Sequence, residues 1–277
     1  MNARVKPDGK PAKRAPAVRL VKRPDLDEVL AFCDEDPIER VFLADVATRG
    51  LGRFAGLRDD DRLTALCHLG ANVVPSGRCT ERFAALAARS RPRMLIGEEQ
   101  AVTELWEAAR DDLPPVREDR PGQPVFVLDD APPSGRSNLR AAQLRDLDLL
   151  VTTSAAAFLE EVGIDAYARD PALFEWRTRT QIDEGRSWLW EKGGKILFKA
   201  EASAWTSKAV QLQQVWVDPE LRGQGYAKRG LADLCRLLLD GTPAVCLFAR
   251  PENEPALRLY ESLGMSRVGA YRSLIFG

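Results

Sequence analysis

The chain has 277 residues, which is enough for one large domain or two of ordinary size. Its 40 Lys and Arg residues nearly balance its 41 Asp and Glu residues, so a global positive field that would bind nucleic acid is not expected. No apolar run approaches the roughly 20 residues that cross a bilayer, and the N-terminus lacks the apolar core of a secretory signal. We therefore expect a cytoplasmic protein with no membrane partner.

The first 17 residues, "MNARVKPDGKPAKRAPA", are basic and rich in proline. Such a composition cannot bury enough apolar surface to offset the entropy lost on ordering, so residues 1–17 are predicted to be a disordered tail. An arm that binds nucleic acid or a protein partner is the alternative for this segment.

The cysteines and the single histidine do not suggest a metal site. The histidine, His68, lies in the strand-like segment "ALCHLG", which favours a structural role, and one histidine excludes multi-histidine zinc sites. The cysteines are odd in number and far apart, without metal-binding or redox spacing: Cys33, Cys67, Cys79, Cys235 and Cys246. We predict no bound metal, and Cys235 and Cys246 are predicted to be core residues.

The first half of the chain alternates helix-like and strand-like segments. Two predicted helices, "RPDLDEVLAFC" and "DPIERVFLADVATRG", come first, and the second is opened by Asp-Pro. Strands are predicted in "RLTALCHLGANVVPSG", followed by helix "CTERFAALAARS", strand "RMLIG", helix "EQAVTELWEAA" and strand "QPVFVLDD". The proline- and glycine-rich segment "DDAPPSGRSN" is the predicted boundary between the halves.

The second half repeats this order more clearly. Helices are predicted in "LRDLDLLVTTSAAAFLEEVG" and in "DPALFEWRTRTQIDEG", the latter capped by Asp170 with Pro171 at its first position. The strands "SWLWEK", "KILFKAEASAW" and "AVQLQQVWV" follow as an antiparallel meander. A helix after "RGQGYAKRG", the strand "AVCLFA", the helix "EPALRLYESLG" and a final pair of strands around "SRVGAY" and "SLIFG" complete the half.

The repeated order predicts a duplicated fold. We expect a mixed α/β (α+β) architecture, with a mostly antiparallel sheet flanked by helices in two copies. The predicted divisions are 1–17 for the tail, 18–136 for the first domain and 137–277 for the second.

The segment "ELRGQGYAKRG" joins an apolar strand to an amphipathic helix. It is not a Walker loop, because Tyr226 follows Gly225 where Lys-Ser/Thr is required, nor a dinucleotide fingerprint, because Lys228 replaces the third glycine. Glycines at Gly223 and Gly225 let the backbone approach an anion closely, and the helix N-terminus adds free N–H groups. The pattern predicts a pyrophosphate site, and the alternative is a tight turn without a ligand.

Arg222-x-x-Gly225-x-Ala227, with Pro219 before it and "NEPALRLYESLGM" after it, resembles the acyl-coenzyme A loop and downstream helix of the GNAT superfamily of N-acyltransferases. The resemblance covers about Leu144 to Phe276, roughly half of the chain. In the first half the corresponding "VVPSGRCTERF" has only one glycine, Gly77, so we expect a degenerate cofactor site there. Such tandem arrangements occur among actinobacterial acyltransferases, some of which acylate a small amino-thiol.

The resemblance implies that acetyl-CoA is the co-substrate and that the strands "QLQQVWV" and "AVCLFA" diverge to hold pantetheine. It implies backbone contacts at the strand and the loop, and an N–H group near Val215 that stabilises the oxyanion. The implied cofactor-binding residues are Val215, Trp216, Val217, Arg222, Gly223, Gln224, Gly225, Tyr226, Ala227, Lys228 and Asn253. A helix cap is the alternative for Asn253.

Two residues are expected to act in catalysis. Tyr260 resembles the general acid of the family, although a phenol with a pKa of about 10 gives a positioned hydrogen bond more than driving force; packing on the helix face is its alternative. An acceptor amine of the lysine type, with a pKa of about 10.4, needs a base, whereas an α-amine near 7.7 hardly does. Glu201, in a neighbouring strand, is the candidate base, and a surface position is its alternative.

The leading hypothesis is direct transfer of acetyl from acetyl-CoA to a primary amine, without a covalent acyl-enzyme. The acceptor is either a small molecule or a peptide, and the sequence does not choose between them. A non-catalytic acyl-CoA sensor is the alternative function. Association with nucleic acid through the tail is not expected, and the oligomeric state is not predicted.

Overall fold

The computed structural model describes residues 18–277, and the predicted tail therefore lies outside the described residues. The first half contains β1 (Arg19–Lys22), α1 (Leu26–Cys33), α2 (Val41–Thr48), β2 (Arg53–Asp59), β3 (Arg62–Leu69), β4 (Asn72–Gly77), α3 (Ala84–Ser90), β5 (Met94–Glu98), α4 (Glu99–Ala109) and β6 (Val116–Leu128). The second contains β7 (Arg140–Ala141), α5 (Leu147–Val162), α6 (Ala166–Arg169), α7 (Pro171–Asp183), β8 (Ser187–Lys192), β9 (Lys195–Trp205), β10 (Val210–Val217), α8 (Tyr226–Leu239), β11 (Val245–Phe248), α9 (Glu254–Ser262) and β12 (Ser266–Phe276).

The twelve strands form one sheet in the order β1-β2-β3-β4-β5-β12-β6-β11-β10-β9-β8-β7. Each strand of the first half corresponds to the strand six numbers later in the second half. Exchanging corresponding strands gives the same order read from the other end, so the sheet has an internal two-fold arrangement. In the described part of the chain only β4–β5 and β10–β11 pair in parallel, and these pairs correspond to each other under the same operation. The mixed, mostly antiparallel fold and its duplication are therefore confirmed.

The last strand of each half lies among the strands of the other half. Strand β12 pairs with β5 of the first half, and β6 pairs with β11 of the second half. These two exchanged strands also pair with each other along most of their length, from Ser266–Val127 to Phe276–Val116. The halves thus share one hydrogen-bonded sheet, and the division at residues 136 and 137 stays a prediction.

Helices cover both faces of the sheet in each half. In the second half, α8 and α9 bury Leu231, Leu234 and Leu238 against the strands, and α5 and α7 cover the opposite face with Leu150 and Ile182. The apolar spacing predicted for α8 explains this packing, because residues three and four apart lie on one helix face. The first half repeats the arrangement, with α3 and α4 on one face and α1 and α2 on the other.

Several boundaries differ from the predicted ones. Helix α2 begins at Val41 instead of at Asp36, because the Asp36 side chain accepts a hydrogen bond from the Glu39 N–H and holds a turn there. The predicted final pair of strands is wrong: β12 is one continuous strand, and its partners are β5 and β6. Strands β1, β2 and β7 and the short helix α6 were not predicted.

The proline-rich segment between the halves is fixed to α8. One carboxylate, that of Asp233, accepts hydrogen bonds from Ser134 Oγ (3.0 Å), Gly135 N (2.7 Å), Ser137 N (2.6 Å) and Ser137 Oγ (2.6 Å). Arg229 donates to the carbonyl oxygens of Gly135 and Arg136. Burial alone would raise the pKa of Asp233, but hydrogen bonds from Ser137, Gly135 and Ser134 outweigh it and hold the pKa below its ordinary value.

Replacing Asp233 with alanine is expected to lower the free energy of unfolding by about 2 kcal/mol, because two part-buried backbone N–H groups lose a charged acceptor. Since the folded-state pKa is depressed, the stabilisation is present above the unfolded pKa of about 3.9 and is lost as the pH falls through the folded value. Urea unfolding of the wild type and of Asp233→Ala at pH 7 and pH 3 checks this. The difference in free energy of unfolding between the two proteins should be smaller at pH 3. Asp240→Ala, at an exposed position after α8, is the control, and an equal loss there would contradict the assignment.

Candidate active site

A cleft opens where β10 and β11 separate. The two strands pair only at Val210–Val245 and Gln211–Cys246, and the described chain shows no β10–β11 pairing beyond these residues. The segments in question are the ones that the sequence predicted to diverge. Backbone groups of the second part of β10 thereby become available on that side for a ligand.

Strand β10 carries a bulge in the middle of this cleft. Its pairing with β9 passes from Gln213–Glu201 to Trp216–Lys199, so one extra residue is accommodated, and Gln214 adopts a positive φ of 49°. The extra residue changes which side chains face the core. Leu212 and Val217 are buried beneath α8, Val215 packs against them, and Trp216 packs on the opposite face.

The predicted pyrophosphate loop has an open backbone. Gly223 and Gly225 have φ of 75° and 81°, and a Cβ atom at either position would meet no atom within 4 Å. Helix α8 starts at Tyr226, and the first helical hydrogen bond runs from Arg229 N to Gly225 O. Within residues 18–277, no acceptor pairs with the N–H groups of Tyr226, Ala227 or Lys228. The loop therefore fits a diphosphate.

Three side chains of the loop contact other parts of the protein, and one is exposed to solvent. Arg222 donates both terminal nitrogens to the carboxylate of Glu160 on α5, each at 2.7 Å, so its charge is anchored beside the loop. Gln224 donates to the Glu220 carbonyl oxygen, and Lys228 is exposed. Tyr226 packs its ring on Trp190, with centroids 5.0 Å apart.

The corresponding loop of the first half is closed by the protein itself. The N–H group of Thr80 donates to Glu104 Oε2 at 3.2 Å, and the Thr80 hydroxyl donates to the Ala101 carbonyl oxygen at 2.6 Å. An internal carboxylate thus takes the place that an anionic ligand would need. Strands β4 and β5 still separate after two residue pairs, as β10 and β11 do.

Tyr260 lies on α9, belongs to the core cluster that includes residues of α8, and is 6% exposed. Its ring contacts Phe126 of β6 edge to face, with centroids 5.3 Å apart, so the first half contributes to its surroundings. Burial raises the pKa of Tyr260, and the nearby charge of Glu161 adds to the rise. The hydroxyl therefore keeps its proton throughout the physiological pH range.

Glu161, at the C-terminal end of α5, was missed by the sequence analysis. Its residue is exposed, yet the surrounding protein desolvates the carboxyl and raises its pKa, an effect opposed by Arg120, Arg250 and Lys199. Arg120 of β6 and Arg250 after β11 both donate to the Glu161 carbonyl oxygen. Because Arg120 belongs to the first half, that half contacts the C-terminal end of α5. The segment "VREDR" of β6 is charged, and its sequence alone does not signal a function.

Glu201 faces α5 and is bound by a buried lysine. Lys199 Nζ lies 2.6 Å from Glu201 Oε1, 2.6 Å from Ser154 Oγ and 2.7 Å from Gln214 Oε1. The sequence analysis missed Lys199, although two charged residues two positions apart in the apolar strand "ILFKAEA" predict side chains on one face. The carboxylate of Glu201 is therefore neither at the surface nor free of a partner.

Asn253 caps helix α9. Its Oδ1 accepts a hydrogen bond from Ala256 N at 3.2 Å, which is the alternative that its sequence position allowed. His68 is buried between the rings of Phe42 and Phe54, and Cys235 and Cys246 are core residues. Across residues 18–277 there is no group of three or more His, Cys, Asp or Glu side chains that could hold a metal, and no helix is long and apolar enough to cross a membrane.

Family comparisons agree with this geometry. Residues 151–265 match the acetyltransferase (GNAT) family, and residues 52–150 match a domain of unknown function (DUF4081). Residues 151–265 thus form a domain that matches the GNAT family, and this match supports acetyl transfer as its general chemistry.

Two mycothiol acetyltransferases are similar to part of the chain. The protein from Brachybacterium faecium is 35% identical over 77 residues, which is 27% of this chain and 23% of that protein. The protein from Thermomonospora curvata is 34% identical over 87 residues, or 31% of this chain and 29% of that protein. The similarity thus spans less than a third of either relative.

Solved structures show the same fold at low identity. A GNAT-family acetyltransferase from Colwellia psychrerythraea has a TM-score of 0.57 and 12% identity, with coverage of 94% of this chain and 100% of that one. A tandem GNAT protein from the clavulanic acid biosynthesis pathway has a TM-score of 0.53 and 14% identity, with coverage of 94% and 99%. These likenesses establish the tandem GNAT fold and no more.

Proposed function

We propose that the protein is an N-acetyltransferase that moves the acetyl group of acetyl-CoA directly to the primary amine of a small-molecule acceptor. The observation that carries the proposal is that an open, glycine-lined loop at the start of α8 follows the strand that borders a cleft between β10 and β11. The loop would bind the diphosphate of acetyl-CoA, and the cleft would bind the pantetheine arm attached to it.

Acetyl-CoA supplies an activated acetyl thioester when bound. The N–H groups at the start of α8 would hold its diphosphate, with Gly223 and Gly225 allowing close approach. Backbone groups of Val215 and Val217 would hold the pantetheine amides, and an N–H group near Val215 would stabilise the charge that develops on the carbonyl oxygen. Trp216 would support this strand from the opposite face, and Asn253, while capping α9, would border the arm.

Tyr260 would donate its proton to the sulfur as the carbon–sulfur bond breaks and the carbon–nitrogen bond forms. Its raised pKa keeps the proton in place until the thiolate develops, so the tyrosine acts as a positioned donor. The proton of the attacking amine must go elsewhere. We assign it to Glu161, an exposed residue whose carboxyl lies near Tyr260 and has a pKa that desolvation raises. Glu201, held by Lys199, would act as a counter-ion, and its role as a base remains a prediction to test.

Replacing Glu161 with glutamine is expected to lower kcat/KM for a lysine-like amine about 100-fold, the usual range for a lost general base. Because the pKa of Glu161 is raised, the wild-type rate falls as the pH drops through that value, and the variant loses this acid limb. Asp148→Asn, at an exposed position of the same helix, is the control for charge alone. An acid limb that survives in Glu161→Gln and disappears in Glu201→Gln would return the role of base to Glu201.

Two features favour a small acceptor without several positive charges. The curated relatives are mycothiol acetyltransferases, whose name specifies a small molecule. Three arginines and two acids lie at the C-terminal end of α5, namely Arg117, Arg120, Arg250, Glu118 and Glu161, so the cluster keeps a net positive charge. A polyamine would meet repulsion there, whereas a neutral or carboxylate-bearing amine would not.

The test is an acceptor panel with acetyl-CoA, read by release of free thiol and by mass spectrometry of the product. The panel contains amino-thiols, amino acids, amino sugars, spermidine and peptides with free α-amines or lysines. Acetylation of one of the first three classes in preference to spermidine and peptides is the expected result. Acetylation of peptides alone would overturn the small-molecule acceptor. Binding of coenzyme A without thiol release from any amine would instead establish the non-catalytic sensor.

A further inference from the structure

We propose that Lys199 is a positioning residue, which fixes the β10 bulge by binding the side chain of Gln214. The inference rests on the proposed function, because the bulge matters most if the neighbouring N–H group faces a reacting carbonyl. The relevant structural feature is the Lys199 network, which consists of Lys199, Ser154, Glu201 and Gln214.

The network uses every donor of the lysine. Its ammonium group has three N–H donors, and three oxygen atoms lie 2.6–2.7 Å away: Ser154 Oγ, Glu201 Oε1 and Gln214 Oε1. Lys199 is 0% exposed. The three partners belong to α5, β9 and β10, so one side chain ties together a helix, a central strand and the bulge.

Stability alone does not explain a fully buried lysine at this point. Desolvating a charge is costly, and well-packed apolar side chains replace buried ion pairs at little or no cost in stability. The alternate positions of β9, which face α8 on the other side of the sheet, are apolar: Phe198, Ala200 and Ala202 are buried there. The lysine therefore has a use that an apolar residue could not fill, and a buried ion pair that fixes one arrangement is the best-attested use.

The backbone conformation of Gln214 also indicates that its bond to Lys199 is required. Its φ of 49° lies in the left-handed region, where glycine is free of strain and other residues are not. A glycine would allow the bulge at lower cost, but it would lack the carbonyl oxygen that binds Lys199. The presence of glutamine indicates that the side-chain bond, and not only the backbone conformation, is required.

The bulge determines which backbone groups of β10 face the cleft. Residues 214 and 215 have no partner in the β9 register, and β11 is paired only up to Gln211 within the described chain. The backbone groups of these two residues are therefore free for a ligand, and their direction depends on how rigidly the bulge is held. The Lys199 network holds it from the face opposite to α8.

Amide hydrogen exchange and steady-state kinetics on three variants of the full chain test the proposal. In Gln214→Gly the backbone is unstrained but the side-chain anchor is absent, whereas Gln214→Glu keeps an oxygen for Lys199. The double variant Lys199→Met/Glu201→Gln removes both charges together, so no unpaired buried charge remains. Gln213→Ala changes the adjacent exposed residue and is the control.

In Gln214→Gly and in the double variant, we expect the amides of residues 214–216 to exchange at least about 5-fold faster than in the wild type. We expect kcat to fall about 10-fold or more in both, because small displacements of a catalytic group are costly, while the Kd for coenzyme A changes less than about 3-fold because the loop at α8 is intact. Gln214→Glu and Gln213→Ala should retain wild-type exchange and kcat.

Wild-type exchange and kcat in Gln214→Gly would overturn the proposal, since the backbone alone would then hold the bulge. If the wild-type protein releases no thiol with any acceptor, the proposed function fails, and the exchange measurement still decides whether Lys199 fixes the bulge.

Discussion

Replacing Gly225 with alanine is expected to weaken binding of coenzyme A about 30-fold or more, equivalent to about 2 kcal/mol. A Cβ atom at this position meets no protein atom, so it would project into the space that the diphosphate would occupy. The positive φ of Gly225 adds strain of about 1 kcal/mol for an L residue, which acts on folding or displaces the first N–H groups of α8. Isothermal titration calorimetry with coenzyme A measures the change.

The control separates strain from steric blocking. Gly185 has a similar φ of 68° and equally open surroundings, but it lies after α7 and away from the loop. Gly185→Ala should therefore lose a similar amount of stability and bind coenzyme A as the wild type does. Equal, undiminished binding in Gly225→Ala would show that the diphosphate does not rest on this loop.

Replacing Tyr260 with phenylalanine is expected to lower kcat about 100-fold with little change in the affinity for acetyl-CoA. The hydroxyl is the only atom removed, and the ring contact with Phe126 remains, so the packing of α9 should persist. Stopped assays of thiol release, combined with calorimetry, measure both quantities. Tyr167→Phe, at an exposed tyrosine on α6, is the matched control.

The pH profile gives an independent check on Tyr260. Burial and the charge of Glu161 raise its pKa, so the protonated form persists above the ordinary value of about 10. An acid donor with a raised pKa works below that pKa, and the wild-type kcat should therefore stay level up to about pH 10. A fall in kcat near pH 8–9 that disappears in Tyr260→Phe would contradict the assignment, as would unchanged turnover in the variant.

Local patterns predicted the elements whose partners are close in sequence. The β8–β9 hairpin has the predicted limits because two apolar runs, "WLW" and "ILF", flank a turn at Gly193-Gly194, where both glycines adopt positive φ. Helix α7 has its predicted Asp170 cap, which accepts from Leu173 N. Side-chain chemistry near the chain itself decides such features, so a single sequence contains the information.

Features that depend on distant partners were not predictable in the same way. Strand β12 was predicted as two strands on either side of Arg272, but pairing with β5 and β6 makes it one continuous strand. Strand β2, "RFAGLRD", lacks clear alternation, and its pairing with β3 and β1 makes it a strand. Tertiary hydrogen bonding decides these cases.

The candidate site also contains residues that a local motif predicted and residues that depend on distant contacts. The glycines of the loop and Tyr260 follow from a continuous motif, and their roles remain proposals. Glu161 and Arg120 have no local signal of function, since an acidic helix end and a charged strand are common on surfaces. Their proximity arises from β6 crossing into the second half, which no local pattern contains.

The exchanged strands make the duplication irreversible. A chain cut near residue 136 would take β6 away from β11 and would deprive β12 of both of its neighbours. Each fragment would then present unpaired strand edges, which associate with other chains. Only the second half keeps an open loop, but β11 and β12 of that half pair with β5 and β6 of the first half, so the closed copy completes the sheet on which the open one depends.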